Sequence, residues 1–185
     1  MTTHYTSSTA FDFTTPKAGL GSRNSKWGNV DLFLGHKAPD DMLAMWVAQM
    51  DFQPAPCLQD AMATLMAEGE YGYFNGLDAF FERIAWWYET RHGWSPNSKH
   101  MFATHGIGNA IGMALQAMTE PGDGIVMFSP VYNEFQGKVE RNGRKVVQSP
   151  LVIDSDGLYR MDLETLSGQL NGTEKAVLFS TPHNP

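Results

Sequence analysis

Between His105 and Tyr132 the sequence sets a glycine-rich turn, His105-Gly106-Ile107-Gly108, ahead of a tyrosine that follows an apolar run and Ser129-Pro130-Val131. A helix opening at Ile107 has first amides without internal partners and the positive end of its dipole there. Glycines at 106 and 108 let an anion approach that backbone closely. Tyr132 adds a flat aromatic face. A phosphate seat beside such a ring suits a ligand that carries a phosphate and a planar ring. The plainer reading is that the glycines make only a turn and the tyrosine only packs.

The elements that must position these residues read from the pattern. Met101–Thr104 is a short candidate strand. Ile107, Ala110, Ile111, Ala114, Leu115 and Met118 recur at helical spacing, and Glu120-Pro121-Gly122-Asp123-Gly124 ends that helix. Ile125–Phe128 is a second apolar strand, so the whole is a strand–helix–strand crossover of a parallel sheet. Open parallel sheets bind ligands at the carboxyl ends of their strands, here Thr104 and Phe128. A later strand, Ala176–Ser180, delivers a third set of polar groups, Thr181-Pro182-His183-Asn184-Pro185.

Elsewhere, residues 1–45 are polar and weakly periodic and read as an irregular arm, with residues 46–185 as the body. A helix over Pro56–Glu68 places Leu58, Ala61, Met62, Leu65 and Met66 on one face, with Gly69 as its stop. The loop Glu70–Gly76 carries Tyr71 and Tyr73. Leu77, Phe80, Phe81, Ile84, Trp87 and Tyr88 form an aromatic helical stripe that reads as core. A short helix runs from Tyr132 to about Arg141, Lys145–Ser149 is a strand, and Asp162 caps a helix bearing Leu163, Leu166 and Leu170. Asp154-Ser155-Asp156-Gly157 lacks the other ligands of a calcium loop and reads as a solvated turn.

Composition narrows the function classes. A 42% hydrophobic and 18% charged chain is that of a globular protein with a real core. The net charge of −7 argues against nucleic-acid or anionic-membrane partners. Cys57 is the single cysteine, which excludes an internal disulfide and a multi-cysteine metal site. No apolar run approaches the ~20 residues of a membrane span, and Met1–Ala10 lacks a signal-peptide pattern. A cytoplasmic protein is expected.

Several motifs converge on one family: Asn24-Ser25-Lys26-Trp27, Met45-Trp46-Val47-Ala48 with Met50-Asp51-Phe52, Tyr71-Gly72-Tyr73, Glu120-Pro121-Gly122-Asp123, Pro130-Val131-Tyr132 and His183-Asn184-Pro185. On these the chain resembles the pyridoxal-phosphate (PLP) enzymes of the class I/II aminotransferase superfamily, and within them the MalY/PatB cystathionine β-lyase branch. The resemblance implies an α/β fold of type I, a mainly parallel sheet flanked by helices, with an N-terminal arm. It implies PLP as cofactor, an amino-acid substrate and a homodimer with shared active sites. By the same resemblance, amides around Gly106, Ile107 and Gly108 hold the cofactor phosphate, Tyr132 stacks on the ring and Asn184 bonds its phenolic oxygen. Tyr71 or Tyr73 reaches the phosphate of the neighbouring subunit, Trp46, Val47 and Ala48 line the substrate pocket, and His183 is structural.

The chain departs from the branch at Gln49, Thr181 and Gly108, which bears on the substrate more than on the cofactor. None of Lys17, Lys26, Lys37, Lys99, Lys138, Lys145 and Lys175 has the context of the family's Schiff-base lysine. That lysine is expected beyond Pro185, so these residues are expected to be the N-terminal part of an enzyme and inactive alone. The reaction expected is β-elimination from a sulfur amino acid, with transamination as the alternative. A nucleotide-binding domain is disfavoured because Gly106, Gly108 and Gly112 do not have G-x-G-x-x-G spacing. A non-catalytic fragment that binds a partner is the remaining class.

Overall fold

The structure, a computed structural model, describes residues 11–16, 23–73 and 75–184. Parts of the N-terminal arm, Phe74 of the tyrosine loop and Pro185 of the last motif therefore lie outside the described residues. The chain divides into two compact units, Met1–Gly76 and Leu77–Pro185. The sequence division at 45/46 marks a change of composition, whereas compactness divides the chain after Gly76.

In the first unit, α1 (Val30–Leu34) ends at Gly35, and α2 (Pro56–Glu68) has the bounds expected from the sequence. Proline suits the first turn of α2 because its missing N–H would have no partner there. α1 falls in the stretch read as irregular, since five residues are too few to show a period. The buried residues here are Val30, Ala38, Ala44 and Lys26. Asp31 Oδ1 accepts the Ala38 amide at 2.8 Å and closes the loop behind α1.

The second unit opens with α3 (Asp78–His92), the aromatic helix. The expectation that its stripe is core is not met: no residue of α3 is buried, and Phe80, Trp87 and Tyr88 are exposed. Periodicity reports which residues share a face, not whether anything covers it. The rings pack locally instead, as where Tyr88 meets Trp94 edge-on at 5.1 Å. The expected strand at Met101–Thr104 is also absent. Met101 is extended, but no strand among the described residues pairs with the segment, and extended backbone without a ladder is not a strand.

The sheet has the order β3-β2-β1-β4, where β1 is Gly124–Ser129, β2 Lys145–Ile153, β3 Tyr159–Met161 and β4 Glu174–Leu178. β1 runs parallel to both neighbours, with Ile125 opposite Val146 and Ala176. β2 is longer than the sequence suggested because its end forms an antiparallel hairpin with β3, Leu151 opposite Met161. The acidic turn is the hairpin's turn, with the Gly157 amide donating to Asp154 O at 3.0 Å and Arg160 paired to Asp154 at 2.8 Å.

β1 is buried on both faces, as a central parallel strand must be. Ile125 and Met127 pack with Leu115 of α4 (Ile107–Met118) and Val139 of α5 (Glu134–Arg141). Val126 and Phe128 pack with Leu166 of α6 (Leu163–Gln169) on the other face. Helices thus cover both sides of the strand that ends at the candidate site. The Asp162 side chain caps α6 by accepting the Thr165 amide at 2.9 Å, as its sequence position predicts.

Candidate functional site

The turn before α4 is built to leave amides free. Gly106 has φ +81°, a conformation that costs glycine little and other residues more, and a Cβ there would meet nothing within 4 Å. Its carbonyl accepts the amides of Asn109 at 3.2 Å and Ala110 at 3.3 Å. No side chain caps the helix, so the amides of Ile107 and Gly108 have no acceptor among the described residues. Two unpaired donors at the positive end of a twelve-residue helix have the chemistry to accept an anion.

α4 leads through the Glu120–Gly124 turn into β1 and packs on it through Leu115 and Ile125. Helix and strand are both roughly 20 Å long by their rises per residue. The start of α4 therefore lies toward the carboxyl end of β1, where the chain carries Tyr132. That ring is 43% exposed and rests edge-on against Phe135 at 5.5 Å, which leaves a face free. His183, after β4, places Nε2 2.6 Å from the Pro130 carbonyl. A carbonyl can only accept, so Nε2 carries the proton, and the contact ties the loop after β4 to the loop after β1. Asn184 beside His183 is exposed, and its side chain has no hydrogen-bond partner among the described residues. The second unit thus brings Gly106, Ile107, Gly108, Tyr132 and Asn184 to the carboxyl ends of β1 and β4.

Two residues important here escape sequence reasoning. A Cβ at position 108 would stand 3.0 Å from Lys138 Cε, so the glycine is the space into which this α5 lysine folds beside the seat. Lys138 also pairs with Glu134 at 3.4 Å. The only sequence signal is a glycine at the second helical position. Arg144 is buried and closes the other end of α4. Its guanidinium donates to Thr119 Oγ1 at 2.9 Å, Leu115 O at 3.2 Å, Asn142 O at 2.5 Å and the Thr119 carbonyl. A cation on the last carbonyls of a helix opposes the negative end of its dipole. Nothing in the local sequence distinguishes Arg144 from a surface arginine.

In the first unit, Met45–Met50 borders an open hollow of about 490 Å³. Within it Val47 has φ +52°, a left-handed conformation that costs a β-branched residue about 1–2 kcal/mol. The Gln49 amide donates to Val47 O at 2.6 Å. Lys26, whose side chain is 8% exposed, donates to Asp51 Oδ2 at 2.7 Å and Gln49 O at 3.0 Å. Trp27 Nε1 donates to Asp51 Oδ1 at 2.7 Å, and Trp46 Nε1 to Lys26 O at 3.1 Å. The Lys26 bond, and then the Trp27 bond, hold the Asp51 carboxyl below the usual carboxylate range. Tyr71 donates its hydroxyl to Met66 O at 3.0 Å, whereas Tyr73 is fully exposed.

A family model described as aminotransferase class I and II matches residues 41–185. The chain is 35% identical over 167 residues to cystathionine beta-lyase PatB of Bacillus subtilis, covering 90% of this chain and 42% of that protein. It is 28% identical over 177 residues to protein MalY of Escherichia coli, covering 95% of this chain and 44% of MalY. Among solved structures, cystalysin from Treponema denticola, which contains a pyridoxal 5'-phosphate cofactor, superposes with a TM-score of 0.86 at 27% identity, covering 96% of this chain and 45% of that one. The chain thus spans less than half the length of these relatives. Its fold is that of the type I PLP-dependent enzymes, an α/β fold with a mostly parallel sheet.

Proposed function

This chain belongs to the aminotransferase class I and II family, and we propose that the protein it belongs to is a PLP-dependent carbon–sulfur β-lyase. The observation that carries the reading is the 35% identity, across 90% of this chain, to a protein named cystathionine beta-lyase. PLP fits the residues present. The free amides of Ile107 and Gly108 would take its phosphate, with the Lys138 ammonium nearby to balance charge. Tyr132 would cover one face of its ring, and Asn184 would donate to its phenolic oxygen. When bound, this cofactor supplies an electron sink that stabilises a carbanion at the substrate α-carbon.

The chain's own groups bind and orient. Trp46, Val47 and Ala48 would line the pocket that holds the amino acid. We assign contact with a second subunit's phosphate to Tyr73, because the Tyr71 hydroxyl is already engaged within its own chain. That assignment makes the protein a homodimer with shared sites, and we place it in the cytoplasm. Among the described residues no helix is long and apolar enough to cross a membrane.

The reaction proposed converts cystathionine and water to homocysteine, pyruvate and ammonia. The complete gene product is incubated with PLP and cystathionine, without a keto acid. Equimolar pyruvate and thiol are expected. Transamination remains the second reading because the matching family model is that of aminotransferases. Amino transfer to an added keto acid, with no pyruvate released from cystathionine, would establish it instead.

A further inference from the structure

We propose that Lys26, Trp27 and Asp51 are positioning residues that hold Trp46–Ala48 in a single conformation for substrate binding. The inference rests on the reading of that segment as part of the substrate pocket.

The dipeptide Lys26-Trp27 grips the segment at three points separated from it by 20 to 25 residues of chain. The Trp46 indole is held by the Lys26 carbonyl, the Gln49 carbonyl by the Lys26 ammonium, and Asp51 by both Lys26 and Trp27. All three grips fall on the flanks. Val47 and Ala48, between them, are exposed and make no side-chain hydrogen bond. Val47, the one non-glycine residue with positive φ among the described residues, lies inside the gripped stretch.

Stability alone does not explain this arrangement. Burying a lysine carries a desolvation cost that an ion pair repays only with good geometry and further hydrogen bonds, and a packed apolar pair often does as well. What a buried, directional network adds is a fixed register. Here it fixes a stretch of backbone that faces solvent in a conformation it would otherwise leave. Strain kept at an exposed segment by a buried anchor marks a place where geometry is needed.

The experiment uses the complete gene product with Lys26→Met, and Asp51→Asn as the near-isosteric variant should the first fold poorly. Amide hydrogen exchange is followed over residues 46–50. KM and kcat are measured for an L-amino acid with a sulfur leaving group on its β-carbon, alongside cofactor content. Exchange should rise about tenfold or more in that window. KM should rise about tenfold, with kcat changed by less than about threefold and cofactor content unchanged. Unchanged exchange would overturn the anchoring role. Faster exchange with unchanged KM would overturn the positioning role, and would trace the failure to the placing of residues 46–48 in the substrate pocket. A failure of the lyase reading itself shows separately, as absence of pyruvate from the unmutated protein.

Discussion

Tyr132 and Asp51 each lend themselves to a single-residue test. A ring stacked on a cofactor contributes roughly 0.5–1.5 kcal/mol beyond the area it buries. Tyr132→Ala in the complete gene product should therefore weaken PLP retention by up to about tenfold, measured by cofactor titration. An unchanged affinity would remove Tyr132 from the ring seat. Asp51 carries a pH dependence. Its carboxyl titrates lower when folded than the ~3.9 of a free aspartate, so the folded state binds fewer protons than the unfolded one near that pH. The stabilisation is complete above that value and is lost as pH falls through the lowered folded value. Urea titrations should show a wild-type advantage over Asp51→Asn that is constant from about pH 5 to 7 and shrinks below about pH 4. The glycine turn at Gly106 could be read from the sequence because a glycine ahead of a helical stripe signals a turn locally. Lys138 and Arg144 could not, since each is defined by a partner 25 or more residues away along the chain, which no spacing rule records.

At the scale of elements, α4 is held at its carboxyl end, opposite the end proposed to take the phosphate. Arg144 occupies the carbonyls of Leu115 and Thr119 at the carboxyl end. Arg144→Met keeps the apolar stem but leaves buried acceptors without donors, at a cost of about 1–3 kcal/mol. A fall in Tm of roughly 2–4 °C per kcal/mol is expected, together with weaker PLP retention despite the distance from the seat. Thermal melts and cofactor titration check both. The elements legible in the sequence were those whose signals are local: α2 with its proline start, α4 with its apolar stripe, and α6 with its aspartate cap. β3 and the extension of β2 were missed because a hairpin is defined by pairing, not by either strand's composition. Met101–Thr104 failed for the same reason in reverse, having strand-like residues but no partner.

For the molecule as a whole, many large apolar side chains of the described residues are exposed. The faces of α2 and α3 contribute, as does an apolar groove of about 240 Å³ bordered by Ile111, Met118 and Val177. Apolar patches of this extent drive association. Residues 1–185 produced alone should bind an apolar dye strongly and should scatter light increasingly with concentration. A dispersed monomer that binds no dye would show that these faces are covered in solution. The sequence's mistake about α3 belongs to this scale, because a helix face can be drawn from periodicity while its cover cannot.

Val47 has a consequence for anyone who would redesign this protein. Glycine accepts a positive φ without the clash that valine bears there, so a stability-guided search would favour Val47→Gly early. The exchange would relieve a local penalty and widen the range of shapes open to residues 46–48. Ranking variants by melting temperature would then select, as an improvement, a change that loosens the segment held by Lys26 and Asp51. At this position durability and fitness for the task pull in opposite directions, and a screen has to measure both.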